Sequence, residues 1–123
     1  MNDNELTYEI RGAVYDVYKA MGPGLLESVY EEALNFELQK RGLRVERQLE
    51  VPIVYNGNIL KTPLRLDMLV EKQIIVELKS VEELQKVHYK QLLTYLRLMD
   101  KQVGLLVNFN CDNILSNIKR VIN

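Results

Sequence analysis

Arg65-Leu66-Asp67-Met68-Leu69-Val70, followed after a short gap by Ile74-Ile75-Val76-Glu77-Leu78-Lys79, decides how this chain is read. Both runs are dominated by Leu, Ile and Val, the composition of buried strands. Each nevertheless carries charge. Burying an ion costs several kcal/mol unless it is paired or holds a metal, so Asp67, Glu77 and Lys79 need a reason. Strand alternation sets Glu77 and Lys79 on one face and Leu78 on the other. A tight turn at Glu71-Lys72 lets the two runs pair antiparallel, which carries Asp67 toward Glu77.

The periodicity changes on either side of this pair. Leu6, Ile10, Ala13, Val14 and Val17 recur at helical spacing and predict a helix over 4–20. Met21-Gly22-Pro23-Gly24 interrupts the chain. A second helix is expected over 25–40, with Leu26, Val29, Tyr30, Ala33, Leu34 and Leu38 as its apolar stripe and Gly42 beyond its end. From Leu43 to Val51 the period becomes two, a half-buried strand that continues toward Tyr55 with a break or edge at Pro52. Asn56-Gly57 is a hairpin signal, with a return strand over 58–61. Strands are expected over 64–70 and 73–78. A third helix is expected over 84–99, carrying Leu84, Val87, His88, Gln91, Leu92, Tyr95 and Leu96. Val103–Phe109 reads as a buried strand, and the tail 114–122 as a short terminal one. The order is α-α-β-β-β-β-α-β plus that tail. It implies an α/β fold with a mixed central sheet flanked by helices, including a parallel βαβ crossover from 76–79 to 103–109.

At 123 residues the chain is expected to form a single domain, 1–123. Apolar residues make up 47% and charged residues 27%, which excludes a disordered chain. The single cysteine, Cys111, has no internal disulfide partner and reads as a thiol in or near the core. No apolar run reaches the ~18 residues of a membrane span, and the polar, acidic Met1–Glu5 is the reverse of a signal peptide, so a cytoplasmic protein is expected. Net charge is −1, which counts against strong non-specific nucleic-acid binding. The charge is uneven: residues 1–37 hold eight acids and two bases, residues 38–123 nine acids and fourteen bases. The candidate chemistry lies mostly in the basic part, which leaves a polyanionic substrate open.

Asp67, Glu77 and a strand carbonyl offer hard oxygen ligands suited to Mg²⁺ or Mn²⁺. Such an ion polarises a phosphoryl oxygen and lowers the pKa of a bound water, as phosphodiester hydrolysis requires. A lysine beside it can orient the water and stabilise the extra negative charge. The bare acid-x-Lys triplet is a weak signal; its place at the end of an apolar strand, with a second acid nearby, strengthens it. The plain alternative is a surface ion pair between Glu77 and Lys79, with Asp67 facing solvent. Glu27 opens the second helix, where it complements the helix dipole without any metal. It lies between Leu26 and Tyr30 on the apolar side, apart from Glu31 and Glu32. His88, the only histidine, is a polar boundary residue or a phosphate contact. Lys40, Arg41, Arg44 and Arg47 are a solvated face or a phosphate-contacting rim.

Four ordered motifs carry a resemblance over residues 8–109: Gly24-Leu25-Leu26-Glu27-Ser28-Val29-Tyr30, the two strands above, and Val87–Leu96. Together they resemble the GxxExxY proteins, a family of the PD-(D/E)XK nuclease superfamily. The resemblance implies a restriction-endonuclease-like core. It implies that Asp67 and Glu77 are the metal-binding acids, Lys79 the catalytic lysine, Glu27 the helix glutamate near the metal, and Gln91 the helix glutamine that approaches the site. Leu66 stands where the superfamily's name records a proline, a widely lost feature. No target-recognition insertion is evident.

These readings converge on a Mg²⁺- or Mn²⁺-dependent nuclease, with DNA favoured over RNA by analogy, Asp67, Glu77 and Glu27 around the metal, Lys79 acting on the nucleophile, and Gln91 in a supporting or substrate contact. The rival is a non-catalytic module of the same fold for nucleic-acid binding or protein assembly, favoured by the acidic balance and small size. A homodimer would supply the surface that so small a core lacks.

Overall fold

The helical stripe read from Leu6 to Val17 is the buried face of α1 (Asp3–Met21) in a computed structural model that describes all 123 residues. Asn2 and Glu5 close a reciprocal capping box at its start: each side chain accepts the other's backbone N–H. α2 (Glu27–Lys40) buries Tyr30, Glu31, Leu34 and Leu38. Leu26 and Val29, expected in its stripe, are exposed. Leu26 is the residue before the helix, not part of it.

Seven strands follow: β1 (Val45–Val51), β2 (Val54–Tyr55), β3 (Asn58–Ile59), β4 (Leu64–Val70), β5 (Ile74–Lys79), β6 (Val103–Asn108) and β7 (Ile118–Ile122). α3 (Lys86–Met99) lies between β5 and β6, and one turn of 3₁₀ helix, Leu115–Asn117, precedes β7. The main sheet runs β1-β4-β5-β6-β7. β5 and β6 are parallel, as the crossover predicted, and every other neighbour is antiparallel. The long strand expected from Leu43 breaks at Pro52, and β1 pairs with β4 while β2 and β3 form a separate hairpin. Asn56 and Gly57 take φ of 49° and 76°, the left-handed pair that a two-residue hairpin needs.

Helices cover both faces. α1 and α2 pack with Met68, Val70, Ile74, Val76 and Leu78 on one side. Leu92 and Leu96 of α3 pack with Leu64, Leu66, Leu69, Ile75 and Leu106 on the other. Arg41, expected in a free basic set, instead binds Glu9 (3.2 Å) and Asp16 (2.8 Å) of α1 and so ties the two helices together. Val87, one of the residues expected along the third helix, is exposed.

Two departures from regular pairing open one end of the sheet. The β1–β4 ladder runs from Val45↔Val70 to Arg47↔Met68 and resumes at Leu49↔Leu66, skipping Gln48 and Asp67. Gln48 has φ 48°, a left-handed conformation uncommon for a residue with a side chain. Met68 faces the α1/α2 side, yet Leu66 faces α3, so the strand reverses its faces across Asp67. The β4–β5 ladder begins at Val70↔Ile74 and stops at Met68↔Val76. Beyond that rung the two strands diverge.

The α3 side is closely fitted. A Cβ added to Gly104 of β6 would lie 2.9 Å from Cδ1 and 3.1 Å from Cγ of Leu92. Gly104→Ala is therefore expected to cost about 1–3 kcal/mol by overpacking, and Leu92→Ala about 2–5 kcal/mol by cavity formation. In urea unfolding the double variant should lose clearly less than the sum, because the new methyl occupies the space Leu92 vacates.

Candidate active site: a fork between two strands

Where β4 and β5 part, their side chains take over the task of the missing rungs. The Asp67 backbone N–H donates to Oε2 of Glu77 at 2.8 Å. The Leu78 backbone N–H donates to Oδ2 of Asp67 at 2.9 Å. Each carboxylate thus holds the neighbouring strand, and the pairing expected of Asp67 and Glu77 is present. The remaining oxygen of each, Oδ1 and Oε1, accepts no hydrogen bond from the protein.

Glu77 is 5% exposed. Burial, followed by the charge of Asp67, pushes its pKa up to about 8, against the opposing pull of the Asp67 N–H and of Lys79. Asp67 is raised too, first by burial and then by the charges of Glu31 and Glu27, with the Leu78 N–H and Lys79 opposing. Two neighbouring carboxyls that resist ionisation form a site short of positive charge. Lys79, half-buried at the end of β5, takes part in none of the four ion pairs of the chain. Its ammonium group acts on both acids only at a distance.

Glu27 reaches the same place from α2. Its Oε2 accepts from the Ser80 N–H at 3.3 Å, and Ser80 Oγ donates to the Leu25 carbonyl at 2.6 Å. Tyr30 explains how the loop is held for this. Its hydroxyl donates to the Gly22 carbonyl (2.6 Å) and accepts from the Leu25 N–H (3.1 Å), while its ring stacks on Phe109 with centroids 4.2 Å apart. The Gly-x-x-Glu-x-x-Tyr pattern is thereby a mechanical unit: the tyrosine latches the loop, and the loop sets the glutamate against the end of β5.

An open hollow of about 410 Å³ is lined by Glu27, Ser28, Glu31, Gln48, Asp67 and Leu78. Glu31 and Gln48 are not anticipated by the sequence reading. Glu31 is 7% exposed; its Oε1 accepts from Nε2 of Gln48 (2.6 Å) and its Oε2 from Nε of Arg47 (3.2 Å). The helical interval of four from Glu27 to Glu31 is the available signal. Arg47, expected on a solvated face, is spent on this pair. The left-handed turn at Gln48 brings consecutive side chains of β1, Arg47 and Gln48, to one glutamate, which regular alternation forbids.

Gln91 is exposed on α3 and does not line this hollow. It lies one helical turn before Tyr95, whose pKa is raised by burial and then by the charges of Glu77 and Asp67. His88 caps α3: its Nδ1 accepts from the Gln85 N–H at 2.9 Å. That bond accounts for the lone histidine as a helix-start residue.

A divalent ion fits this donor set in an open rather than a caged form. No three His, Cys, Asp or Glu side chains close around one point. Mg²⁺ does not need them to, since it keeps several waters and is often bound by one or two carboxylates plus substrate phosphate. The two unpartnered oxygens of a carboxyl pair whose pKa values are both raised, first by burial, are suited to such an ion.

No helix is long and apolar enough to cross a membrane. A comparison with curated proteins gives no match, and neither does one with solved structures. A family model described as PD-(D/E)XK nuclease superfamily matches residues 4–121. The match spans both helices in front of the fork, the fork itself, and the crossover behind it, and on that extent the chain belongs to the PD-(D/E)XK nuclease superfamily.

Proposed function

We propose that the protein is a metal-dependent nuclease that hydrolyses phosphodiester bonds, with DNA preferred to RNA. The observation that carries this reading is the carboxyl pair at the fork, each member fixed by the other's strand and each with one oxygen free. Asp67 and Glu77 would hold Mg²⁺ or Mn²⁺; Glu27 lines the hollow beside Asp67, whereas Glu77 is bound to Asp67 at the hollow's margin and does not line it. When bound, the ion would supply Lewis-acid polarisation of the phosphoryl group and a water of lowered pKa.

The protein's own groups divide the remaining work. Lys79, two residues past Glu77 and free of ion pairs, orients the attacking water and stabilises charge gathering on the phosphoryl oxygens. Glu31 has both oxygens engaged, so it acts as a fixed negative wall that raises Asp67 and Glu77 rather than as a ligand. Tyr30 keeps Glu27 in place through the loop. Gln91, a turn from Tyr95 on an exposed face, would act outside the hollow, as a contact with substrate. A net charge of −1 favours the second reading, a nuclease-fold module that binds or assembles without cutting.

Incubation with single- and double-stranded DNA and RNA in Mg²⁺, Mn²⁺ or EDTA separates the two. Metal-dependent cleavage is expected, reduced on the order of 10²–10³-fold in Lys79→Ala. Cleavage that survives EDTA or Lys79→Ala would refute the assignment, and binding without cleavage would establish the module.

The raised carboxyls also make stability depend on pH. A folded pKa above the unfolded value means that the folded state binds more protons between the two, so stability falls as pH rises through that window. For Glu77 the window runs from 4.5 to about 8. In EDTA, melting should show a loss on the order of a few kcal/mol across it. Glu77→Gln should flatten the slope, and Mg²⁺ should restore stability at the alkaline end. A wild-type profile flat from pH 5 to 8 would count against the electrostatic picture.

A further inference from the structure

The β2–β3 hairpin belongs neither to the main sheet nor to the fork. Its base is anchored: Ile53 packs against the α3-side core, and the Leu60 N–H donates to the Ile53 carbonyl at 2.8 Å. Its outer part is bare. Val54 is 61% exposed, Tyr55 65% and Ile59 73%. Val54 and Ile59 are directly paired and so share one face, while Tyr55 occupies the other. A short hairpin with apolar groups exposed on both faces is an unfavourable thing to hold in water.

Its position gives it a purpose. β4 runs antiparallel to β5, so the end of β5 carrying Glu77 and Lys79 is the same end of the sheet as the start of β4. Val51 pairs with Leu64 at that end, and the hairpin springs from these two residues. Leu64 lies three residues before Asp67, which places the hairpin's root ~10 Å from the level of the carboxyl pair. Ile53 and Leu64 at that root pack on the α3 face of the sheet's end.

The chemistry points to one occupant. Residues 51–66 contain no Asp or Glu and two bases, Lys61 and Arg65, in a chain whose net charge is −1. Arg65 is paired with Glu50, which leaves Lys61 as the free cation. One cation is too few for a grip on a duplex backbone, whose affinity grows with the number of phosphates neutralised. An aromatic ring and two aliphatic side chains, unopposed by any acid, suit the faces of nucleic-acid bases instead.

We propose that the hairpin is a base-stacking finger that engages unpaired bases next to the scissile phosphate. The preferred substrate is then a single strand, flap or fork rather than a blunt duplex. This rests on the nuclease reading and narrows it.

The test is binding under conditions that prevent cutting. Fluorescence anisotropy in EDTA, with labelled single-stranded, forked and blunt DNA and single-stranded RNA of equal length, gives affinities independent of catalysis. Wild type should bind the forked and single-stranded forms more tightly than the blunt duplex, with shallow salt dependence. Tyr55→Ala and Ile59→Ser should each weaken that binding about 5- to 150-fold. Their melting temperatures should stay at the wild-type value, because both side chains are exposed. Phe36→Ala, an exposed aromatic on α2, is the control and should bind as wild type.

Finger variants that bind as tightly as wild type, or a preference for blunt duplex, would overturn the proposal. So would a concentration-dependent dimer in gel filtration that the finger variants lose, which would make the hairpin a subunit contact. If the finger variants bind normally while Lys79-dependent cleavage persists, the finger alone fails. If wild type binds no nucleic acid and cuts none, finger and nuclease fall together.

Discussion

Asp67 and Glu77 hold apart and hold together the same two strands. Backbone pairing between β4 and β5 ends at Met68↔Val76, and the next two N–H groups on the fork are satisfied by carboxylates. A buried N–H left unpaired is costly, so these acids are part of the sheet's hydrogen bonding before they are part of any chemistry. The arrangement settles their direction without help from long, adjustable side chains. It also leaves one oxygen on each free, next to the hollow under α2 that Asp67 lines.

The surrounding architecture serves that fork. α1 and α2 are locked by Arg41, and Tyr30 joins the start of α2 to Phe109 just past β6. Glu27 is therefore positioned from the α1/α2 side of the sheet's end, through a ring stack and two hydroxyl bonds. On the opposite face, the contact of Leu92 with Gly104 draws α3 close to β6 and fixes where Tyr95 stands relative to the acids. Precision at the site thus comes from helices that do not themselves carry the two central carboxyls.

Much of this architecture is legible as pattern. α1, β4, β5 and β6 follow from apolar periodicity, and the parallel crossover follows from a helix between two apolar strands. Asp67, Glu77 and Lys79 stand out as charges in runs that ought to be buried. Whatever depends on a broken rule escapes. Alternation along β1 predicts that Arg47 and Gln48 point to opposite faces, and it cannot anticipate a left-handed residue that turns both to Glu31. Periodicity groups Glu31 with Glu32 away from the apolar side, because its ion pair lies 16 residues away in sequence. It places Leu26 and Val29 in a core stripe because it does not see that Tyr30 latches the loop and that the helix starts one residue later than Leu26.

The left-handed Gln48 has a consequence for descent. Such a conformation is held at a cost that ordinary strand pairing would avoid. A lineage that no longer needed the hollow would feel no pressure to retain it, and a regular β1 would be the easier sequence to drift toward. Descendants with no use for the hollow should thus betray themselves at this position, by a straightened strand and a sturdier fold, before their acidic residues disappear.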